Sequence, residues 1–229
     1  MRGKFLYLLI AILLLLLVQP ILLETHRGVM TLGALGLGVL FTAIYATTAR
    51  RRWTWYGLAL LLPAVAIHFG VHAPRPLWIQ LTYHGSQILF LLLTAAAIVG
   101  VIIRAERVSA DTIYGAVCVF LLCAIAFALA YSATALVQPQ AFRGADGTYL
   151  HGMTGYTDPE LFSTYVYYSL TTITTLGIGD IIPTTPIARA LSSFEAVFGT
   201  IYLATLVGLL VGLYVVEASR KRERDSIRR

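Results

Sequence analysis

The stretch that decides the fold is PELFSTYVYYSLTTITTLGIGDIIP, residues 159–183. Asp158 stands before it as an N-cap, Pro159 suits the first helical position, and Glu160 complements the positive end of a helix. The aromatic and threonine run that follows predicts a helix. It is too short to cross a bilayer, which takes about 20 apolar residues. Gly177 and Gly179 then break it, and Asp180 leads the chain away again. A helix that enters and stops midway leaves irregular backbone at membrane depth. Such backbone persists only where it is buried in protein or lines water.

The composition around this segment is that of a membrane protein. Of 229 residues, 58% are hydrophobic and 12% charged, and the mean hydropathy is +0.79. Soluble domains run nearer 45–50% apolar and about 25% charged. The formal charge of +6 is distributed between apolar runs and at the C-terminus, which speaks against nucleic-acid binding. The two cysteines, Cys118 and Cys123, lie in one apolar segment on different faces of a helix and read as core residues rather than a disulfide.

Six stretches are suited to span the membrane: 5–23, 29–48, 53–70, 77–103, 112–137 and 187–216. The third is short and contains Pro63, tolerable where neighbouring helices satisfy the freed carbonyl. The first follows the basic MRGK, but no small-residue cleavage site comes after it, so it reads as a retained helix. Lys and Arg then set the orientation. Arg2, Lys4, Arg50, Arg51, Arg52, Arg104, Arg107, Arg220, Lys221, Arg222, Arg224, Arg228 and Arg229 fall on one side, and Arg27, Arg75, Arg143 and Arg189 on the other. This asymmetry predicts that both termini are cytoplasmic. The connection 138–158 is polar, glycine-rich and external.

TTITTLGIGDIIP resembles the pore helix and selectivity filter of potassium channels, whose filter typically reads Thr-Val-Gly-Tyr-Gly followed by Asp. The resemblance extends over about 112–216. It implies that carbonyls of Thr175, Leu176, Gly177 and Ile178, with Gly179 completing the motif, replace the water of a dehydrated K+ ion, with Asp180 at the outer mouth. Glycine at alternate positions relieves the Cβ penalty of that backbone. Tyr167, Tyr168, Thr171 and Thr174 are the expected supports from the pore helix. Where the family carries a filter tyrosine, Ile178 has no hydroxyl and can only pack against Tyr167 and Tyr168. The chain holds one such motif and a ring of carbonyls needs four, so the family implies a homotetramer.

The last span adds Gly199, twenty residues after Gly179. It reads either as an inner-helix hinge, as in related channels, or as a packing site. Gly208 and Gly212 form a small-xxx-small pair suited to close helix packing. Thr200, Ala204 and Val207 are expected to line the inner cavity. Glu195 is an acid inside the membrane and so a candidate for function; it reads either as an acceptor of hydrogen bonds behind the filter or as a near-surface acid neutralised by a neighbour.

The expected fold is therefore an all-α membrane protein. Six transmembrane helices carry a re-entrant pore helix and filter between the fifth and sixth, in a tetrameric pore. Residues 1–110 form a four-helix membrane domain, 111–218 the pore domain, and 219–229 a short basic cytoplasmic tail with no cytoplasmic ligand-binding domain. The six-span plan resembles voltage-gated cation channels. Their fourth span carries arginines at every third position, and here none occurs before Arg104. Each charge moved through the field supplies about 2.3 kcal/mol per 100 mV, so steep voltage dependence is not expected.

The histidines fall outside the membrane or in the outer half of spans, with His68 and His72 at i, i+4 and His84 in the fourth span. They are either interfacial or a site of modulation by external protons. No catalytic constellation and no cofactor are expected beyond K+ as permeant ion. Membrane lipids are the other expected partners, anionic lipid at the basic tail among them. The functional expectation is a passive potassium channel of a prokaryotic cytoplasmic membrane. The alternatives are a weakly selective monovalent cation channel, an active potassium transporter, or a non-conducting sensor or assembly subunit.

Overall fold

The computed structural model describes residues 4–23, 76–104, 110–151 and 159–227. Five helices occupy them: α1 (Lys4–Leu23), α2 (Leu77–Ile103), α3 (Ala110–Val137), α4 (Pro159–Ile173) and α5 (Pro186–Ile227). Among the described residues, three segments, Leu77–Ile103, Ala110–Val137 and Pro186–Leu206, are long and apolar enough to cross a membrane. The expected second and third spans lie outside the described residues, as do His26, His68 and His72 and the arginines at 27, 50–52, 75 and 107.

Helix α3 is the centre of the bundle. It buries residues on nearly every face, many of them small: Gly115, Ala116, Ala124, Ala126, Ala128 and Ala135. Without a hydrophobic drive between helices in lipid, small side chains let backbones approach and gain dispersion contact. A Cβ at Gly115 would lie 3.0 Å from the Phe5 ring of α1. Helix α1 turns Phe5, Leu8, Ile12 and Leu15 inward at helical spacing and leaves Tyr7, Ile10, Leu13, Leu14 and Leu17 exposed. A helix apolar on all faces needs lipid on the outer one. Phe90, Leu91, Ala95 and Ile98 of α2 join the same core, which reaches Ile173 at the end of α4. The described helices on either side of residue 110 thus share one core.

Polar bonds fix how the helices register. The Asp111 carboxylate at the start of α3 accepts from the Phe5 amide at 3.1 Å, satisfying a free N–H at the start of α1. The contact puts the starts of α1 and α3 at one end of the bundle. Arg104, which caps the C-terminal end of α2, precedes α3 by a short connection. Lys4 and Arg104 therefore mark the same end of the bundle. Within the span, His84 of α2 bonds Ser132 of α3 at 3.1 Å through Nε2 and the Gln80 carbonyl at 2.8 Å through Nδ1. A carbonyl can only accept, so Nδ1 carries the proton and Ser132 donates to Nε2 in the neutral ring.

At the opposite end, the expected polar loop is instead a small sheet. Strands β1 (Phe142–Arg143), β2 (Tyr149–Leu150) and β3 (Ile182–Pro183) lie in the order β2-β1-β3, all antiparallel. An all-helical description omits this sheet. Gly147, at φ 83°, makes the hairpin turn, and the Gly144 amide donates to the Thr148 carbonyl at 2.9 Å across it. Asp146 accepts from the Thr148 hydroxyl and amide, which holds its carboxyl below the usual carboxylate range. Phe142 is fully buried and meets Tyr131, Tyr165 and Tyr168 edge-on, at centroid distances of 5.3, 5.6 and 5.4 Å. Phe142 thus pins the hairpin to the helices, and the Tyr165 hydroxyl of α4 adds a bond to the His151 carbonyl at 2.9 Å.

Candidate functional site

The site is the turn between α4 and β3. Its first part is the C-terminal end of α4. Threonine hydroxyls bond back to the helix there: Thr171 and Thr172 donate to the Tyr168 carbonyl, at 2.9 and 2.8 Å, and Thr174 to that of Leu170 at 2.6 Å. The chain then reverses. Thr175 N–H donates to the Thr172 carbonyl at 2.9 Å, and Gly177 N–H to that of Thr171 at 3.0 Å. Thr171 is buried and acts as the anchor of the loop on α4.

Beyond this anchor the backbone is left-handed at every second residue. Thr175, Gly177 and Gly179 have φ of 59°, 53° and 85°. No neighbour lies within 4 Å of a Cβ built on Gly177 or Gly179, so the glycines answer the backbone conformation rather than crowding. Thr175 adopts the same conformation with a side chain, at a cost of about 1–2 kcal/mol. Residues 174–179 are all exposed, Leu176 and Ile178 by 66% and 57%.

The outer end of the loop is braced through its carboxylate. The Tyr167 hydroxyl donates to Asp180 Oδ2 at 2.8 Å, and Oδ1 accepts from the Ile181 amide at 3.0 Å. Tyr168 instead faces inward and bonds Ser192 at 2.7 Å. The two tyrosines expected beside Ile178 thus brace the carboxylate and α5. The return strand is tied to the hairpin: the Thr184 amide donates to the Ala141 carbonyl at 2.8 Å, and its hydroxyl to that of Gln140. Arg189 Nε donates to the Pro183 carbonyl at 3.2 Å. Thr185 caps α5, with Pro186 at its first position.

Helix α5 presents Ala188, Ser192, Glu195 and Gly199 to the rest of the chain, a stripe at helical spacing. Glu195 is fully buried; Oε2 accepts from the Tyr131 hydroxyl of α3, and Oε1 contacts the Ser169 hydroxyl of α4. Gly199 lies one turn further on. A Cβ there would stand 1.9 Å from the Ile173 carbonyl oxygen. The glycine is where α5 receives the end of α4, and α5 runs on as helix through it. This geometry favours the packing role of Gly199 over the hinge. Thr200 and Ala204 are exposed on the other side of α5, and the Val207 side chain lies outside the described residues.

His84, expected near the outer surface, is 1% exposed with both ring nitrogens bonded. Ser169, Tyr131, Ser192, Thr172 and Ile173 are the site residues that sequence reasoning missed. Ser169 had a signal, as a small polar residue one helical turn from Tyr165 on the buried side of α4. Tyr131 and Ile173 had none, since a tyrosine or isoleucine in an apolar run looks like any other. Among the described residues, no group of three or more His, Cys, Asp or Glu is arranged to hold a metal ion.

No curated protein matches the sequence. Residues 116–215, from α3 through the turn to α5, match the family model described as an ion channel. They include the turn from the Thr171 anchor to Gly199, so the site lies within the stretch that is similar to ion channels.

Proposed function

We propose that the protein is a potassium-selective channel, conducting K+ passively across the cytoplasmic membrane through a pore shared by four copies. The observation that carries the reading is the alternating left-handed backbone at Thr175, Gly177 and Gly179, within the Thr-Leu-Gly-Ile-Gly-Asp motif. In this reading the carbonyls of Thr175, Leu176, Gly177 and Ile178 replace the hydration shell of the ion. The C-terminal end of α4 contributes partial negative charge below them. Asp180, braced by Tyr167, stands at the outer mouth.

Assembly is supported by what one chain leaves open. Leu176, Ile178, Phe194, Val197 and Ile201 are exposed apolar side chains around the loop and along α5. Irregular backbone at membrane depth must be enclosed by protein or line water. Further copies of the chain meet both demands, covering the apolar faces and leaving the carbonyls on a wet axis. Thr200 and Ala204 then line the inner cavity, and α1 and α2 surround the pore on the lipid side. Both termini are cytoplasmic, with anionic lipid at the basic tail.

The departures at Leu176 and Ile178 favour a second reading, a weakly selective monovalent cation channel. Flux of K+ and Na+ into liposomes carrying the purified full chain decides between them. We expect K+ uptake well above Na+ uptake. Equal fluxes select the second reading, and no flux of either ion refutes both.

A further inference from the structure

The contacts of Glu195 contain a proton count. Ser169 Oγ has one hydrogen. It lies 2.7 Å from the carbonyl oxygen of Ala124 on α3, an atom that can only accept, and it also contacts Glu195 Oε1. The Tyr131 hydroxyl, with its own single hydrogen, donates to Oε2. Tyr131, Ser169 and Glu195 are all 0% exposed. With an ionised carboxylate, the Ser169 hydrogen would have to serve two acceptors, and one oxygen–oxygen contact would lack a proton. With a hydrogen on Oε1 the chain closes. Tyr131 donates to Oε2, Oε1–H donates to Ser169, and Ser169 donates to Ala124.

The surroundings agree. An ionised buried carboxylate needs a cation or several donors, and among the described residues no basic side chain is a hydrogen-bond partner of Glu195. Among the described residues, the titratable groups facing it are Tyr131 from α3 and Tyr168 from α4. The Tyr168 hydroxyl is already bonded to Ser192, which in turn donates to the Ala188 carbonyl at 2.9 Å. It has no hydrogen left for the acid.

We propose that Glu195 is an uncharged carboxylic acid that positions α4 by donating to Ser169. It joins α3, α4 and α5 one turn from where Gly199 meets the Ile173 carbonyl. Ser169 lies two residues before Thr171, whose carbonyl anchors Gly177. The acid therefore holds the element from which the conducting loop hangs. Ionisation removes the donor, puts an unpaired charge among apolar helices, and releases α4. This role rests on the channel reading above, whereas the protonation state does not.

The test uses the purified full chain as wild type, Glu195→Gln, Glu195→Ala and Ser169→Ala. A glutamine keeps both bonds: its amide N–H donates to Ser169 and its oxygen accepts from Tyr131. In the infrared at neutral pH, we expect a protonated-carboxyl C=O band in the wild type that is lost in Glu195→Gln. Thermal stability should be retained in Glu195→Gln and lost in Glu195→Ala. In liposomes, K+ flux should fall about tenfold in Glu195→Ala and Ser169→Ala. It should also fall at alkaline pH in the wild type but not in Glu195→Gln. Absence of the band, with Glu195→Gln damaged as much as Glu195→Ala, overturns the proposal. So does a wild-type alkaline loss that Glu195→Gln shares. If the wild type passes no K+, the channel reading fails, and the infrared and thermal measurements still decide the protonation state.

Discussion

Replacing Gly199 by alanine tests how the inner face of α5 is used. The new methyl would stand 1.9 Å from the Ile173 oxygen, 2.8 Å from its carbonyl carbon and 2.9 Å from its Cγ1. Comfortable carbon-to-oxygen approach begins near 3.3 Å, so α5 and the end of α4 must separate by about 1.4 Å. The obstructing atoms are largely backbone, and no rotamer change removes them. Overpacking typically costs about 1–3 kcal/mol, and this contact falls in the upper part of that range. Alanine returns up to about 1 kcal/mol in helix propensity. The net loss is then about 2 kcal/mol per chain, near a thirtyfold shift in a folding equilibrium. Gly208→Ala is the control, since nothing lies within 4 Å of its added methyl. Thermal unfolding of the purified protein, with K+ flux in liposomes, reads both variants. We expect Gly199→Ala to lose stability and flux while Gly208→Ala stays at or above wild-type stability. Wild-type stability in Gly199→Ala, with a change in opening alone, would refute the packing argument and restore the hinge.

Four further outcomes follow from the same contacts. Tyr167→Phe removes the 2.8 Å bond to Asp180; the site is exposed, so stability should change little while K+ over Na+ selectivity falls, as relative fluxes would show. Ile178→Tyr restores the hydroxyl of the family pattern and should raise selectivity and the persistence of flux; unchanged values would count against a weakly braced outer filter. His84→Ala leaves Ser132 without its ring partner and opens a buried cavity, so melting should reveal a loss of about 2–4 kcal/mol. The carboxyl of Asp146 is held below its ordinary value by Thr148. Its support of the hairpin turn is therefore full above the ordinary carboxylate pKa of about 4 and is lost as pH falls through the lower folded value. Protection of the Thr148 amide from hydrogen exchange, corrected for intrinsic rate, should fall over that range in the wild type and be low throughout in Asp146→Ala.

Much of the site was legible because its determinants are local. A left-handed backbone excludes most side chains, so Gly177 and Gly179 announce it from their spacing alone. Pro159 and the length of the run after it fix a helix too short to span. The hairpin carried a local signal as well, Asp146-Gly147 between short strand segments, but the glycine-rich composition of 138–158 made it read as plain loop. Thr175 gave no sign of its positive φ, since threonine does not choose that conformation. The surrounding bonds to Thr171 and Thr172 impose it.

By itself, the sequence determined that this chain lies in a membrane, where its apolar helices run, and where an interrupted helix exposes a loop of alternating glycines. These follow from transfer free energy and backbone sterics, which act residue by residue. The tertiary structure alone decided that Asp111 caps α1 across 106 residues and that Tyr131 reaches Glu195 across 64. It also decided that Phe142 plugs an aromatic pocket and that Gly199 receives the end of α4. Such contacts depend on which faces of distant helices meet. Nearly every face here is apolar, so hydrophobic periodicity carries little information about that choice. Small residues and single polar bonds settle it once the helices pack.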